Sequence, residues 1–225
     1  MSSTHEHSTR DHPGHDHTGH SHSEPEAHER EPDPEIVLRE RALRELLIEK
    51  GIFTADDIRR AMETMEARSP AMGARVVARA WTDPAFKTAL LAHANSAVTQ
   101  FGVNMGVAEL TVVENTAELH NMIVCTLCSC YPRALLGIPP SWYKAKAYRS
   151  RAVRDPRGVL AEFGTVLPAE VAVRVHDSTA DLRFMVLPRR PDGTEGWSAE
   201  ALERLVTRDS LIGVTTARAV DGACD

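Results

Sequence analysis

The spacing of apolar residues divides the chain into a helical first half and a mixed second half. From Pro34, apolar residues recur every three or four positions and predict a helix that ends at Gly51. Thr54 and Asp57 form a capping-box pattern for a second helix, and Pro70 and Pro84 begin two more. We expect these short helices to bury one face each, in part against a partner chain. The residues predicted to face inward on the first two helices are Ile36, Leu38, Leu43, Leu46, Leu47, Ile58, Ala61, Met62 and Met65.

After Gly106 the apolar period changes to two. Residues 110–114 and 120–124 predict two strands separated by a turn at Asn115, and residues 171–175 and 183–187 predict two more. One helix is predicted to run from Pro140 through Tyr148, and others follow Pro156 and Ser198. The pattern therefore predicts an α+β fold. In this fold an N-terminal helical arm precedes a layered α/β/β/α-type domain, which carries a cysteine-rich motif at a strand end.

Composition sets the predicted domain boundaries. Residues 1–34 alternate polar residues, glycine and proline without apolar periodicity, so they are predicted to be a disordered, His-rich tail. Residues 35–105 form the predicted helical arm, 106–214 an α+β metal-binding catalytic domain, and 215–225 a flexible C-terminal tail. The tail histidines suit capture of cobalt, nickel or zinc, and a solvated tail without function is the alternative. These histidines are His5, His7, His12, His15, His17, His20 and His22.

Charge and hydropathy narrow the function classes. The 225 residues carry a formal net charge of −6 and contain no basic patch with interleaved aromatic residues, which argues against nucleic acid as a partner. No apolar run is long enough to cross a membrane. The polar N-terminus lacks the apolar region of a signal peptide, so we expect a cytoplasmic protein. In that reducing compartment, clustered cysteines favour metal ligands over disulfides.

Three of the four cysteines, Cys125, Cys128 and Cys130, lie within six residues. Three interpretations are open. A structural zinc site usually takes two ligands from each of two separated segments, but only one such segment is present and Cys224 lies near the C-terminus. An inert turn would bury three thiols in one tight loop. A catalytic metal site would gather three thiolates around one point and keep a coordination position open for substrate.

The motif Cys-Thr-Leu-Cys-Ser-Cys resembles the metal-binding motif of cobalt-type nitrile hydratase α subunits, a family that includes the thiocyanate hydrolase γ subunit. The similarity extends from about residue 36 to 214 and includes residues 113–116, 136–144, 148–151, 159–164, 193–197 and 206–213. It implies the catalytic, metal-bearing subunit of a nitrile hydratase, which adds water to a nitrile bound at Co(III) to give an amide. It also implies a β subunit as partner and a cobalt activator or chaperone for loading. Thr126, where the iron enzymes carry serine, makes iron the less expected metal.

The resemblance also implies roles for individual residues. The metal would take the sulfurs of Cys125, Cys128 and Cys130 and the backbone nitrogens of Ser129 and Cys130, which leaves one of six positions open. Cys128 and Cys130 would be the catalytic cysteines, carried as sulfinic and sulfenic acids, and oxygenated sulfur is a weaker donor than thiolate. Arginines of the β subunit would pair with their oxygens. Further residues would orient the site by hydrogen bonds, or else form an ordinary salt-bridged strand edge. They are Asp177, Asp181 and Arg183.

Two departures from the family pattern keep the substrate open. Arg133 stands where many nitrile hydratases have tryptophan, as in thiocyanate hydrolase γ subunits, and a cation there suits an anionic substrate. A Gln-Gly-Glu segment of the family is replaced by Gly106, Val107 and Ala108. The alternatives are therefore a thiocyanate hydrolase γ subunit, which forms carbonyl sulfide and ammonia, and a non-catalytic metal-binding or cobalt-delivery protein.

Overall fold

The computed structural model describes residues 33–219. The predictions for the His-rich tail and for Cys224 lie outside these residues. In the first half of the described chain, five α-helices and a short 3-10 turn follow one another. Their bounds are α1 Pro34–Glu49, α2 Ala55–Glu66, α3 Pro70–Thr82, α4 Pro84–Ala92, α5 Ala94–Val98 and the 3-10 turn Thr99–Phe101.

The second half of the described chain mixes strands and short helices. Their bounds are β1 Glu109–Glu114, β2 Leu119–Val124, α6 Arg133–Leu136, α7 Ser141–Lys144, α8 Lys146–Arg154, α9 Pro156–Glu162, β3 Ala172–Asp177, β4 Leu182–Leu187, α10 Ala199–Glu203 and α11 Arg208–Ile212. None of the helices within residues 33–219 is long and apolar enough to cross a membrane.

Local hydrogen bonds explain most helix boundaries. At the start of α2, the Asp57 carboxylate accepts from the Thr54 N–H at 2.8 Å and the Asp57 N–H donates to Thr54 Oγ1 at 3.1 Å, the predicted capping box. Asp83 accepts from the N–H groups of Ala85 and Phe86 and so caps α4. One helix prediction is wrong. The helix expected through Tyr148 breaks at Ala145, whose ψ of 138° is extended, and becomes α7 and α8.

The four strands form two separate parallel pairs. β1 pairs with β4 in a register that sets Glu109 opposite Leu182, and β2 pairs with β3 in a register that sets Val124 opposite Asp177. The consecutive strands β1 and β2 therefore lie in different sheets. Between them, the Asn115 side chain accepts from the Asn121 N–H at 2.7 Å and satisfies the backbone at this turn. N-terminal helices, small parallel sheets and a cysteine motif at a strand end confirm the predicted fold class.

The core lies between helices α3 to α9, helix α11 and the two sheets. Its fully buried residues come from both halves of the chain and include Val76, Val77, Leu90, Met122, Leu135, Leu136, Tyr143, Met185 and Leu211. Gly73 of α3 shows how tight this packing is. A Cβ there would lie 2.7 Å from Leu136 Cδ2 and 2.8 Å from Leu211 Cδ1, so a larger residue would require both leucine side chains to shift.

Helices α1 and α2 contain no buried residue, so the prediction that each buries a face is wrong for this chain on its own. Ion pairs such as Arg39 with Glu35 and Arg59 with Glu63 support the two helices from their own side chains. Within residues 33–219 their apolar side chains are exposed or only partly covered. The most exposed of these are Ile36, Leu38, Leu43, Leu46, Met62 and Met65.

Candidate metal centre

Strand β2 delivers the cysteine loop, residues 125–130, to one end of its sheet. Residues 120–124 are all buried, which anchors the strand in the core. Ser178 directly follows β3, and its N–H donates to Val124 O at 2.7 Å. This bond continues the contact between β2 and β3 up to the start of the loop. Cys125 follows and is only 1% exposed. A rigid element therefore fixes the first cysteine of the loop.

The three cysteine sulfurs converge. Cys125 Sγ lies 3.6 Å from Cys128 Sγ, and Cys128 Sγ lies 3.4 Å from Cys130 Sγ. All three sulfurs lie within 4.8 Å of one another, and no other His, Cys, Asp or Glu among residues 33–219 joins the group. Cys125 is buried, Cys130 is half-buried and Cys128 is exposed. This arrangement disfavours the inert buried turn and offers only three of the four ligands of a structural zinc site.

The pKa values of the Cys128 and Cys130 thiols shift in opposite directions. The pKa of Cys128 is lowered, first by its contact with the Cys130 thiol and then by the Ser129 N–H that points at its sulfur. Burial, followed by contact with Cys128, raises the pKa of Cys130 to about 12. The shifts are opposite because Cys130 is the more buried of the two thiols and because a thiolate at Cys128 disfavours a second negative charge nearby. A soft or borderline transition-metal cation among the sulfurs would relieve this repulsion, so the donor set fits such a metal.

Two oppositely charged side chains hold the first part of the loop. The Asp177 carboxylate accepts from the Thr126 N–H at 2.9 Å and from Thr126 Oγ1 at 2.5 Å. The Arg149 guanidinium donates through Nη1 to Thr126 O at 3.2 Å and to Leu127 O at 2.9 Å. Asp177 ends β3 directly beside Val124, so the sheet register brings this carboxylate to the loop.

Two tyrosines bind backbone carbonyls on either side of the loop. Tyr143 OH donates to Cys130 O at 2.9 Å, and Tyr148 OH donates to Ile123 O at 2.5 Å. Burial raises the pKa of both hydroxyls well above the usual range, so both remain protonated donors. Both rings belong to an aromatic cluster with Trp142, which fixes their positions.

The loop forms one wall of an open cleft of about 560 Å³. Cys128, Ser129 and Cys130 line it together with Tyr131, whose buried hydroxyl has no hydrogen-bond partner among the described residues. Three arginines also line the cleft, and they come from three different parts of the chain. They are Arg68, Arg133 and Arg183.

The structure treats the predicted site residues differently. Asp177 contacts the loop, and Arg133 and Arg183 line the cleft beside it. Asp181 makes no such contact among the described residues. Within residues 33–219 no hydrogen bond or ion pair joins its side chain to the loop, and its backbone carbonyl instead accepts from the Glu109 N–H at 2.7 Å.

Several contacts to the loop were not predicted from the sequence. Arg149 lies in the Tyr-Arg-Ser-Arg segment, which the family resemblance includes but to which no role was attached. Its basic side chain directly after a buried tyrosine was the available signal. Arg68 and Asn104 reach the cleft from the helical first half of the chain, and no sequence motif marks them.

An α+β fold that presents three converging thiols beside an open cleft defines a thiolate metal-binding protein.

The chain belongs to the nitrile hydratase α-chain family. The family model for "Nitrile hydratase, alpha chain" matches residues 34–215. The low-molecular weight cobalt-containing nitrile hydratase subunit alpha of Rhodococcus rhodochrous is 54% identical over 183 residues, which cover 80% of this chain and 88% of that protein. The family expected from the cysteine motif is therefore confirmed.

Two further relatives show the breadth of this similarity. The thiocyanate hydrolase subunit gamma of Thiobacillus thioparus is 46% identical over 187 residues, which cover 78% of this chain and 77% of that protein. A double mutant of the Fe-type nitrile hydratase from Comamonas testosteroni Ni1 superposes with a TM-score of 0.77 at 42% identity, covering 86% of this chain and 97% of that one. Relatives of this chain therefore include cobalt and iron nitrile hydratases and a thiocyanate hydrolase.

Proposed function

We propose that this chain is the catalytic α subunit of a cobalt-dependent nitrile hydratase, which converts a nitrile and water into an amide. The observation that carries the proposal is the convergence of three cysteine sulfurs within 4.8 Å at the edge of an open cleft. The cobalt-containing relatives supply the expected metal. Thr126 supports cobalt over iron, and the likeness to an Fe-type enzyme keeps iron as the less favoured alternative.

In this proposal the metal ligands are the sulfurs of Cys125, Cys128 and Cys130 and the backbone nitrogens of Ser129 and Cys130, with one cobalt per subunit. Ser129 and Cys130 line the cleft together with Cys128, which supports the inclusion of their backbone nitrogens. A backbone nitrogen binds a metal only after losing its proton, so a strongly polarising trivalent ion suits this set better than zinc. A metal held by these groups would lie at the wall of the cleft that Cys128, Ser129 and Cys130 line.

The exposure of the cysteines supports the proposed oxidation states. Cys125 is buried, whereas Cys128 is exposed and Cys130 is half-buried on the cleft side. Both cleft-side sulfurs are accessible, and a bound metal would hold both as thiolates, so we propose Cys128 and Cys130 as the residues that become sulfinic and sulfenic acids. Asp177 and Arg183 would support the site from outside the ligand set, Asp177 through Thr126 and Arg183 from the cleft wall. Asp181 has no contact that supports the same role.

Bound cobalt would supply a Lewis acid that polarises the nitrile carbon for attack. The chain's own residues then do the rest. The cleft wall formed by Ser129, Cys130 and Tyr131 confines the substrate beside the open position. An oxygen carried on Cys130 would act as a general base: it would take a proton from the water that adds to the nitrile carbon and return it to the nitrogen, so that one water is added overall and the amide results. Arg133 at the cleft edge orients the substrate.

A second candidate function, the γ subunit of a thiocyanate hydrolase, is favoured by one specific observation. Arg68, Arg133 and Arg183 all line the cleft, and three cations around a small cleft attract an anion such as thiocyanate. The two functions are separated by assaying the purified complex with neutral aliphatic nitriles and with thiocyanate at equal concentrations. Amide production with nitriles supports the first function, and carbonyl sulfide with ammonia supports the second.

The exposed apolar side chains of α1 and α2 support a partner subunit, and we propose that a β subunit covers them. Leu127, 87% exposed at the tip of the cysteine loop, suits the same partner. A cobalt activator or chaperone would load the metal before assembly. The non-catalytic alternative, a cobalt-delivery protein, predicts unmodified cysteines, so oxygen added to the 125–130 peptide in a mass spectrum counts against it.

The direct test of the catalytic assignment is Cys130→Ser in the assembled complex. We expect nitrile hydration to fall to background because the substitution removes both a metal ligand and the oxidisable sulfur. Cobalt content is measured on the same sample. A Cys130→Ser complex that carries cobalt and hydrates nitriles at the wild-type rate would sink the assignment.

A further inference from the structure

Arg149 occupies a position that the ligand set does not explain. It lies in α8, directly after Tyr148, whose hydroxyl binds Ile123 O near the end of β2. That bond ties α8 to the strand just before the cysteine loop. Beyond the end of β2, Thr126 O and Leu127 O both accept a hydrogen bond from Arg149 Nη1. The guanidinium therefore spans the two residues that separate Cys125 from Cys128.

One of these two residues, Thr126, is also held from its amide side by a negative charge. Asp177 accepts from both the N–H and the hydroxyl of Thr126. A cation at the carbonyl groups and an anion at the N–H group both favour one orientation of the peptide dipoles. The pair fixes the backbone between two of the three cysteines without touching a sulfur.

We infer that Arg149 is a positioning residue of the metal centre. It holds residues 126 and 127 so that the sulfurs of Cys125 and Cys128 converge before the metal binds, and it slows the loss of the metal afterwards. This inference rests on the proposed function only in taking cobalt as the metal. Its physical basis is preorganisation: a loop already closed loses less conformational freedom when the ligands engage.

Arginine suits this role better than lysine. A planar guanidinium presents several fixed donors, whereas an ammonium group is a mobile point charge on a flexible stem. Arg149 Nε is buried and has no hydrogen-bond partner among residues 33–219, so this part of the guanidinium is enclosed by the fold. Arg151 is a matched control. It lies two residues away on α8 and pairs with Glu162 and Asp155, away from the loop.

The experiment compares Arg149→Gln, Arg149→Lys and Arg151→Gln in the complete complex produced in cobalt-containing medium. Three quantities are measured: cobalt per chain by mass spectrometry, the rate of cobalt loss to a chelator, and the sulfur-to-cobalt charge-transfer absorption. We expect Arg149→Gln to lose cobalt about 10- to 100-fold faster than wild type, the range seen when partners of metal ligands are removed. The rate of cobalt loss from Arg149→Lys should lie between the rates from Arg149→Gln and wild type, and the rate from Arg151→Gln should equal that of wild type.

The outcomes separate the possible roles. Wild-type cobalt content, loss rate and absorption in Arg149→Gln would overturn the inference. So would equal losses in Arg149→Gln and Arg151→Gln, because they would show a general effect on α8. If the glutamine variant does not fold, Arg149→Lys decides, and an unchanged rate of cobalt loss overturns the inference. A wild-type complex that holds cobalt but hydrates no nitrile would refute the proposed function and leave this inference standing, because cobalt retention is measured without turnover.

Discussion

Helices α1 and α2 and the β2 strand with its cysteine loop are built in opposite ways. The two helices carry their own caps and ion pairs but bury no residue. The loop has no regular secondary structure, yet β3, α7 and α8 each contribute a side chain that bonds it or the end of β2. The helices are thus specified by neighbouring residues in the sequence, and the loop is specified by the rest of the fold.

The contrast has an energetic meaning. An exposed ion pair four residues apart on a helix contributes only about 0.3 to 0.5 kcal/mol, so the pairs on α1 and α2 add little to global stability. Each full burial of a large aliphatic side chain contributes roughly 1.5 to 3 kcal/mol. The core therefore holds the metal centre rigid, whereas the first two helices remain available for a partner.

The largest expected effect that tests this contrast comes from two leucine substitutions in the full chain. Leu136 is fully buried in the core and Leu43 is 57% exposed on α1. Leu136→Ala should reduce the free energy of unfolding by about 2 to 5 kcal/mol, because it leaves a cavity. Leu43→Ala should change it by less than about 0.5 kcal/mol. Urea unfolding followed by circular dichroism measures both.

The same pair of variants also probes assembly. With the β subunit present, Leu43→Ala should weaken association because its side chain would lie in the interface. A loss of stability in the chain alone as large as that of Leu136→Ala would show that α1 packs within the chain, and the contrast would fail.

A medium effect is expected at the loop. Asp177→Asn keeps one acceptor but loses the charge that binds both polar groups of Thr126. We expect a destabilisation of about 1 kcal/mol and faster loss of cobalt. Asp181→Asn is the control, because its side chain does not contact the loop. Thermal unfolding and chelator challenge of the two variants give the comparison, and equal behaviour would remove Asp177 from the support of the metal centre.

The smallest effect is a pH dependence confined to α2. The hydrogen bonds from Thr54 lower the pKa of Asp57 from 3.8 to about 2. A lowered carboxyl pKa stabilises the folded helix above pH 3.8, and that contribution disappears as the pH falls through about 2. We expect amide hydrogen exchange at the start of α2 to accelerate in this window, and in Asp57→Asn the acceleration should be present already at neutral pH. Exchange that spread over the core with the same midpoint would contradict a local effect.

The same contrast explains which features the sequence could predict. Helix starts at Thr54, Pro84 and Pro156 depend on residues a few positions apart, and they agree with the structure. The break at Ala145 was missed because the segment after Pro140 looks continuously helical. Strands were predicted in their correct places, but their pairing depends on distant partners. A local pattern cannot show that β1 joins β4 and β2 joins β3.

The residues of the metal centre also differ in how well the sequence predicts them. Cys125, Cys128 and Cys130 are recognisable because their spacing places three thiols in one short loop. Asp177 was predicted from family resemblance and contacts the loop, whereas Asp181, predicted by the same argument, does not. Arg149 and Tyr143 were missed because each meets the loop through the backbone, and backbone contacts leave little trace in residue type.

The parallel pairing of β2 with β3 sets an order of events for a growing chain. Thr126 and Asp177 are 51 residues apart, so the bonds from Asp177 to the cysteine loop cannot form until the chain has been synthesised beyond β3. Until then the three cysteines emerge from the ribosome as an open, accessible segment. The contacts from Asp177 are therefore among the last that the cysteine loop can make as the chain grows. Metal delivered too early would meet thiols that are not yet arranged to hold it.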